Sequence, residues 1–387
     1  MHTYCTGNSV ILLRNGAEYF PAVVQAIEAA CTSVYVEAYI FADDASGRVV
    51  ADALCQAALR GVDVRLVIDA FGTKPYLTPS LRAALEDAGA ALTLYRPEAL
   101  PFAFRKDRLR RLHRKIFIMD GRIAFVGGIN VIDDMNTRGH LPPRVDFAVR
   151  VEGPILEPII AAAQRLWRIQ RALRFEQHAL MRFNISPQLA HAGKTTAKFL
   201  VRDNFRFRRH IETAYLAAIR MAREEVVIAC AYFFPGIRFR RELIAAAERG
   251  VQVTLILQAR VEYRLLHHAT KALYGQLLAG GVRIVEFERS FLHAKVAVVD
   301  QKWATVGSSN IDPFSLLLAR EANVFVRDAA FASELRAELE TLSREGGQVV
   351  SAEKWARRSR FARFVGWAAY GLVRSLIGLV GERGARW

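Results

Sequence analysis

Short apolar runs alternate with stretches of helical period along most of this chain. Residues 9–30 predict a strand and then a helix, with Phe20, Val23, Val24 and Ile27 at helical spacing. Residues 34–41 (VYVEAYIF) predict a buried strand carrying Glu37 and Tyr39, for which a site-lining and a structural role are both open. A second amphipathic helix over 47–59 ends at Arg60-Gly61, since glycine accepts the left-handed cap. Strands follow at 62–69 and 91–95, with a helix at 81–88 between them. A long helix over 155–174 puts Leu156, Ile159, Ile160, Ala163, Leu166 and Trp167 on one side. Strands alternating with helices imply an α/β layered fold. The plan then repeats, with helices at 211–222 and 240–249 and strands at 226–234, 251–257 and 281–287. Ala231-Tyr232 is expected to match Ala38-Tyr39, and Arg249-Gly250-Val251 to match Arg60-Gly61-Val62. An internal duplication is more economical than two unrelated domains.

The repeat is sharpest in two segments. Residues 292–310 read LHAKVAVVDQKWATVGSSN, and residues 112–130 read LHRKIFIMDGRIAFVGGIN. His113, Lys115, Asp120, Gly127 and Asn130 match His293, Lys295, Asp300, Gly307 and Asn310, each displaced by 180 positions. Each segment predicts strand, turn, strand and a small-residue loop. Side chains alternate along a strand, so the histidine and the lysine two positions later project from one face. Backbone N–H groups in the Gly307-Ser308-Ser309 turn suit an anion. One His-x-Lys arises easily by chance; two copies with matching downstream Asp, Gly and Asn do not.

Composition narrows the partner. The chain has 387 residues, 52% of them hydrophobic, and a formal net charge of +16, which points to a polyanion, either nucleic acid or anionic lipid. Cys5, Cys31, Cys55 and Cys230 are far apart, form no metal-ligand spacing and suit a reducing compartment as small buried residues. Adjacent His267-His268 should diverge on a helix and serve the surface. No His, Cys, Asp and Glu cluster at ligand spacing suggests a metal, and no cofactor is expected. The first residues, MHTYCTGNSV, lack a signal-peptide pattern, and no uninterrupted apolar stretch reaches membrane-spanning length.

The pattern H-x-K-x4-D followed by G-[SG]-x-N resembles the phospholipase D superfamily over nearly the whole chain. ACAYFFPG, SFLHAKVAVVD and GSSNIDPFSLLLAREANV are most similar to bacterial cardiolipin synthases, the B type in particular. The resemblance implies two phospholipase D-like α/β/α sandwich domains about a pseudo-two-fold axis, with the active site between them. The expected divisions are 1–185, a linker at 186–198, 199–345, and a membrane-associating tail at 346–387.

It further implies that His113 is the nucleophile and His293 the acid/base, although the residues alone do not fix that order. Lys115 and Lys295 would grip the phosphate, with Asn130, Asn310 and Ser308 adding hydrogen bonds. Asp120 and Asp300 would be structural members of the motif, bonding nearby backbone. Glu321, 28 positions after His293, stands where the family's histidine-orienting acid stands. Leu141 occupies that spacing in the first half, which leaves Asp146 as the stand-in there. Gly128, opposite Ser308, removes one possible phosphate hydrogen bond.

Two segments bear on lipid against nucleic acid. Residues 101–111 interleave Phe102 and Phe104 with Arg105, Lys106, Arg108, Arg110 and Arg111, which fits a head-group lip and a solvated loop equally. Residues 354–363 (KWARRSRFAR) precede an apolar stretch at 364–381, interrupted by Arg374 and Ser375. A central arginine costs about 2.5–3.5 kcal/mol on insertion scales, so an interfacial anchor fits better than a span. A helix packed on the protein's own core is the competing reading. The expectation is a phosphatidyltransferase that joins two phosphatidylglycerols through a phosphohistidine, peripheral to the cytoplasmic side of a bacterial inner membrane. The alternative is a hydrolase of the same fold, phospholipase D or nuclease.

Overall fold

A computed structural model describes residues 3–97, 111–137, 139–172, 185–203, 207–260, 264–312 and 319–380. The basic and aromatic stretch at 101–110 lies outside these. β1 (Cys5–Arg14), α1 (Asn15–Glu28), β2 (Ser33–Ala38), α2 (Ala45–Leu59), β3 (Asp63–Asp69), the short α3 (Ala70–Thr73), α4 (Pro79–Asp87) and β4 (Ala91–Tyr95) open the first half. The first motif forms the hairpin β5 (Ile116–Met119) and β6 (Ile123–Gly127); β7 (Arg144–Val145), β8 (Phe147–Glu152) and α5 (Leu156–Ala172) follow. The second half runs β9 (Thr195–Arg202), α6 (His210–Met221), β10 (Glu225–Cys230), α7 (Ile237–Glu248), β11 (Gln252–Gln258), α8 (Arg264–Ala279), β12 (Arg283–Phe287) and β13 (Phe291–Leu292). Its motif hairpin is β14 (Lys295–Val299) and β15 (Trp303–Gly307), followed by β16 (Glu321–Arg327), α9 (Ala329–Gly346) and β17 (Gly347–Val349). The tail holds α10 (Ala352–Ala356) and α11 (Arg360–Val380).

Among the described residues, fifteen strands form one sheet in the order β17-β12-β11-β10-β14-β15-β16-β9-β1-β8-β6-β5-β2-β3-β4. Outward from the central β9–β1 junction the plan is the same in both directions, which is the expected pseudo-two-fold. In each half the three outer strands of the shared plan are parallel and the motif hairpin antiparallel. One core cluster, including residues of α5 and α9, runs under both halves. Two further clusters lie on the other face, one beneath α1, α2 and α4, the other beneath α6, α7 and α8. The result is an α/β/α sandwich, each apolar strand covered on both faces by helices.

The turn inside each motif hairpin explains both motif aspartates. Asp120 and Asp300 adopt φ of 52° and 51°, left-handed backbone that aspartate tolerates better than most residues. Asp120 accepts hydrogen bonds from the backbone N–H groups of Cys31, Thr32 and Ser33. Asp300 accepts from those of Arg223, Glu224 and Glu225. Each carboxylate thus ties its hairpin to the start of the neighbouring strand, at the end of the sheet away from the histidines.

Several expectations are corrected. β9 begins at Thr195, four residues inside the segment expected as linker. The polar threonines there join a strand, and Thr195 sits opposite Asn8 of β1. The strand expected to reach 234 stops at Cys230, where the backbone turns into the site. The match of Ala38-Tyr39 to Ala231-Tyr232 slips by one. Glu37 pairs with Ile116 and Ala229 with Val296, so Tyr39 corresponds to Ala231. Of the four cysteines only Cys230 is buried; Cys31 is exposed. The rings of His267 and His268 meet edge to face at 5.7 Å. In the tail, α11 packs one face on the second half, with Ala369 and Val373 joining the core that includes α8.

Candidate active site

Two short parallel crossings join the halves at the motif ends. Leu112 bridges Arg320, and β13 pairs with β7 so that Leu292 lies opposite Val145. His113 N–H donates to the Arg320 carbonyl at 3.0 Å, and His293 N–H to the Val145 carbonyl at 2.8 Å. Chains paired in parallel carry their next residues side by side. His113 therefore falls beside Glu321, and His293 beside Asp146. His113 Nδ1 is 3.1 Å from Glu321, and His293 Nδ1 is 2.6 Å from Asp146. Glu321 was expected beside His293, with Asp146 as the stand-in for the first half. The pairing is instead exchanged, because each acid lies on a strand whose entry crosses to the opposite motif.

The remaining motif residues close around this pair of contacts. Lys115 Nζ donates to the His113 carbonyl at 2.8 Å. Lys295 Nζ lies 2.8 Å from His293 Nδ1 and 3.5 Å from Asp146, and also bonds the His293 carbonyl. Asn130 Oδ1 accepts from Ile40 N–H and Asn310 Oδ1 from Tyr232 N–H, both at 3.3 Å. With the oxygens so held, the Nδ2 donors are the ends available to a substrate. Ser308 departs from its expected phosphate role. Its hydroxyl donates to Glu321 at 2.5 Å and accepts from Ala322 N–H at 3.0 Å, so it is occupied in holding the acid. A Cβ on Gly128 would lie 2.2 Å from Asp146 Oδ1. The missing side chain makes room for that carboxylate.

Burial dominates the electrostatics. It lowers the pKa of His113, opposed by Glu321, and lowers that of His293 further, with Lys295 and Arg144 adding to the effect. Burial also brings Lys115 down to about 7 and lowers Lys295. Asp146 is pushed up by burial against the pull of Lys295. Burial acts the same way on Glu321, but the attraction of His113 and Lys115 and the Ser308 hydrogen bond hold it below the usual carboxylate range. The site thus holds histidines poised neutral and lysines whose charge is costly, a site short of negative charge.

Some participants were not assigned from the sequence. Tyr39 meets the His113 ring edge to face at 4.7 Å, and Lys115 Nζ lies over the tyrosine at 5.3 Å. Arg114, between the motif histidine and lysine, forms a buried ion pair with Glu37 at 2.7 Å, and Glu37 also accepts from Tyr35. A charge inside the apolar run VYVEAYIF was the available signal. Among the described residues no group of His, Cys, Asp and Glu could hold a metal ion.

A family profile described as "Cardiolipin synthase, PLD-like domain" matches residues 23–140 and 215–343. The chain belongs to the cardiolipin synthase family of phospholipase D-like proteins. It is 37% identical to Cardiolipin synthase B of Escherichia coli K12 over 97% of this chain and 90% of that protein. It is 30% identical to Cardiolipin synthase A of Erwinia tasmaniensis over 93% of this chain and 74% of that protein. The crystal structure of phosphatidylserine synthase from Haemophilus influenzae superposes with a TM-score of 0.69 at 14% identity, covering 96% of this chain and 94% of that one. That likeness is one of fold. Both profile segments carry one His-x-Lys hairpin, so the family match and the duplicated motif describe the same repeat.

Proposed function

We propose that the protein makes cardiolipin by joining two phosphatidylglycerols and releasing glycerol. The observation that carries the reading is the exchanged pairing, which puts two histidines, two lysines and two carboxylates from both halves into one cleft. The lipid identity is supported by the family relatives.

Glu321 accepts the Nδ1 proton of His113, which leaves the Nε2 lone pair as nucleophile. Nε2 attacks the phosphorus of the first phosphatidylglycerol, the P–O bond to its glycerol head breaks, and His293 gives a proton to the departing oxygen. The head-group hydroxyl of a second phosphatidylglycerol then attacks. Its proton passes to His293, the P–Nε2 bond breaks, and His113 is restored. Lys115 and Lys295, with the Nδ2 groups of Asn130 and Asn310, compensate the charge that grows on the non-bridging oxygens. Arrival of the anionic phosphate raises the pKa of the lysines and of His293, which charges the groups that burial had discouraged. Water reaching the phosphatidyl-enzyme yields phosphatidic acid instead. The protein works at the surface of the bacterial inner membrane, on its cytoplasmic side.

The test is purified protein with vesicles of labelled phosphatidylglycerol and products read by mass spectrometry. Cardiolipin and free glycerol are expected, reduced at least about a thousandfold in His113→Ala. Phosphatidic acid alone would make the protein a hydrolase, and DNA cleavage without lipid change would overturn the lipid reading.

A further inference from the structure

A helix lying on a protein surface is normally polar on its outer side. α11 is not. Its inner side packs through Ala369 and Val373, and Tyr370 meets Phe234 at 5.6 Å. The opposite side carries Phe361, Phe364, Trp367 and Leu372, exposed by 76%, 64%, 72% and 51%. Phe361, Phe364 and Trp367 recur every third residue and form one stripe, with Leu372 at its edge. Of the exposed large apolar side chains in the described residues, the aromatic ones are Phe71 and these three on α11. Both sides of the helix are apolar, and among the described residues nothing covers one of them.

Charge identifies the cover. Residues 351–380 contain six Lys and Arg against one acid, Glu353. Arg358 lies over Trp355 at 4.1 Å, and Arg374 lies over Tyr370, reaching its hydroxyl at 3.2 Å. A cavity of about 740 Å³ elsewhere, beside α6, offers no such stripe; the one beside α11, about 520 Å³, is lined by Lys271, Trp355, Arg358, Phe364 and Trp367. Basic side chains flanking an exposed aromatic stripe match an anionic bilayer surface. No helix among the described residues is long and apolar enough to cross a membrane.

The direction of α11 matters as much as its surface. Its early residue Gly366 lies near Ala272 in the middle of α8, whereas Tyr370, one turn on, meets Phe234. Phe234 N–H bonds the Ile311 carbonyl, one residue beyond Asn310 of the second motif. The helix therefore climbs toward the end of the sheet that holds the histidines.

We infer that α11 docks the protein in the plane of an anionic lipid surface and holds the histidine-bearing end of the sheet alongside that surface. This rests on the lipid-transferring reading for its consequence, but not for its measurement. Flotation with phosphatidylglycerol–phosphatidylcholine vesicles compares the parent with Phe364→Ser/Trp367→Ser, whose targets are exposed and leave the fold intact. Removing two inserted aromatic side chains should weaken vesicle binding at least about tenfold. Parent Trp367 emission should be quenched by vesicles of brominated lipid, with most of that quenching lost in Trp367→Phe. Transfer should fall on vesicles and stay unchanged on dispersed short-chain phosphatidylglycerol. Unchanged vesicle binding would overturn the inference. So would a parent dimer that the double variant converts to monomer without loss of binding, since the stripe would then cover a second copy. If the parent binds vesicles through the stripe but transforms no lipid, the catalytic reading fails and the docking stands.

Discussion

The two halves share a backbone plan but secure their histidines differently. In the first, His113 and Lys115 flank Arg114, which is locked to Glu37, and Tyr39 abuts the imidazole. At the matching places the second half has Ala294, Ala229 and Ala231, all buried. The acids invert this contrast. Glu321, which serves His113, is steadied by the Ser308 hydroxyl, whereas Asp146, which serves His293, presses against the bare backbone of Gly128. Glutamate is long enough to pass a serine side chain; aspartate needs the space a glycine leaves. The electrostatics follow, with Glu321 held down and Asp146 pushed up. Backbone symmetry builds one site, and side-chain asymmetry gives its two histidines different surroundings. A firmly ionised acid suits a nucleophile that must keep one tautomer. A softer acid suits a residue that passes a proton back and forth.

The largest test of this contrast removes one charge at a time. Glu321→Gln and Asp146→Asn should each lower kcat about 10²–10⁴-fold, since a lone amide neither fixes the tautomer nor balances an imidazolium. They should differ in what accumulates. Quenching with substrate labelled on phosphorus should trap little covalent label in Glu321→Gln. Asp146→Asn should hold more, because phosphatidyl release is slowed there. The opposite distribution would exchange the roles of His113 and His293.

A smaller effect separates the two supports. Gly128→Ser drives a side chain into Asp146 and should cost about 10–100-fold in kcat/KM. Ser308→Gly removes one hydrogen bond and should cost no more than about tenfold. If length is the reason for the pairing of Ser with Glu and Gly with Asp, then Gly128→Ser/Asp146→Glu should recover most of the Gly128→Ser loss. Failure of that double variant would mean that crowding from Arg144 and Lys295, rather than acid length, sets the second site.

Much of this frame was legible in the chain. The 180-residue spacing of His113, Lys115, Asp120, Gly127 and Asn130 from their partners announced the duplication, and strand periodicity gave the elements on either side. The exchange of Glu321 and Asp146 was not legible. It depends on Leu112 lying beside Arg320 and Leu292 beside Val145, contacts between residues far apart in sequence that no local pattern encodes. The one-residue slip at Tyr39 has a similar origin: strand register is set by the neighbour, and a shift of one turns a side chain to the other face. Arg114 was hidden for another reason. An arginine at the variable position of a motif reads as surface until the strand that supplies Glu37 is known to lie next to it.

The mildest test uses pH and concerns the lysines. Lys115 is held near 7 by burial, below its value of 10.5 in the unfolded chain. Between those values the unfolded chain binds a proton that the folded protein does not. Stability should therefore rise with pH across that window, by at most about 1.4 kcal/mol per unit from this group. Phosphate binding needs the charged amine, so kcat/KM should fall over the same range, by no more than about tenfold per unit. Lys115→Met removes the first slope by removing the titration, and denaturant melts of parent and variant from pH 7 to 10 read the difference. Parallel melts across that range would mean that Lys115 keeps its charge in the folded protein. The site would then already be furnished for an anion before substrate arrives.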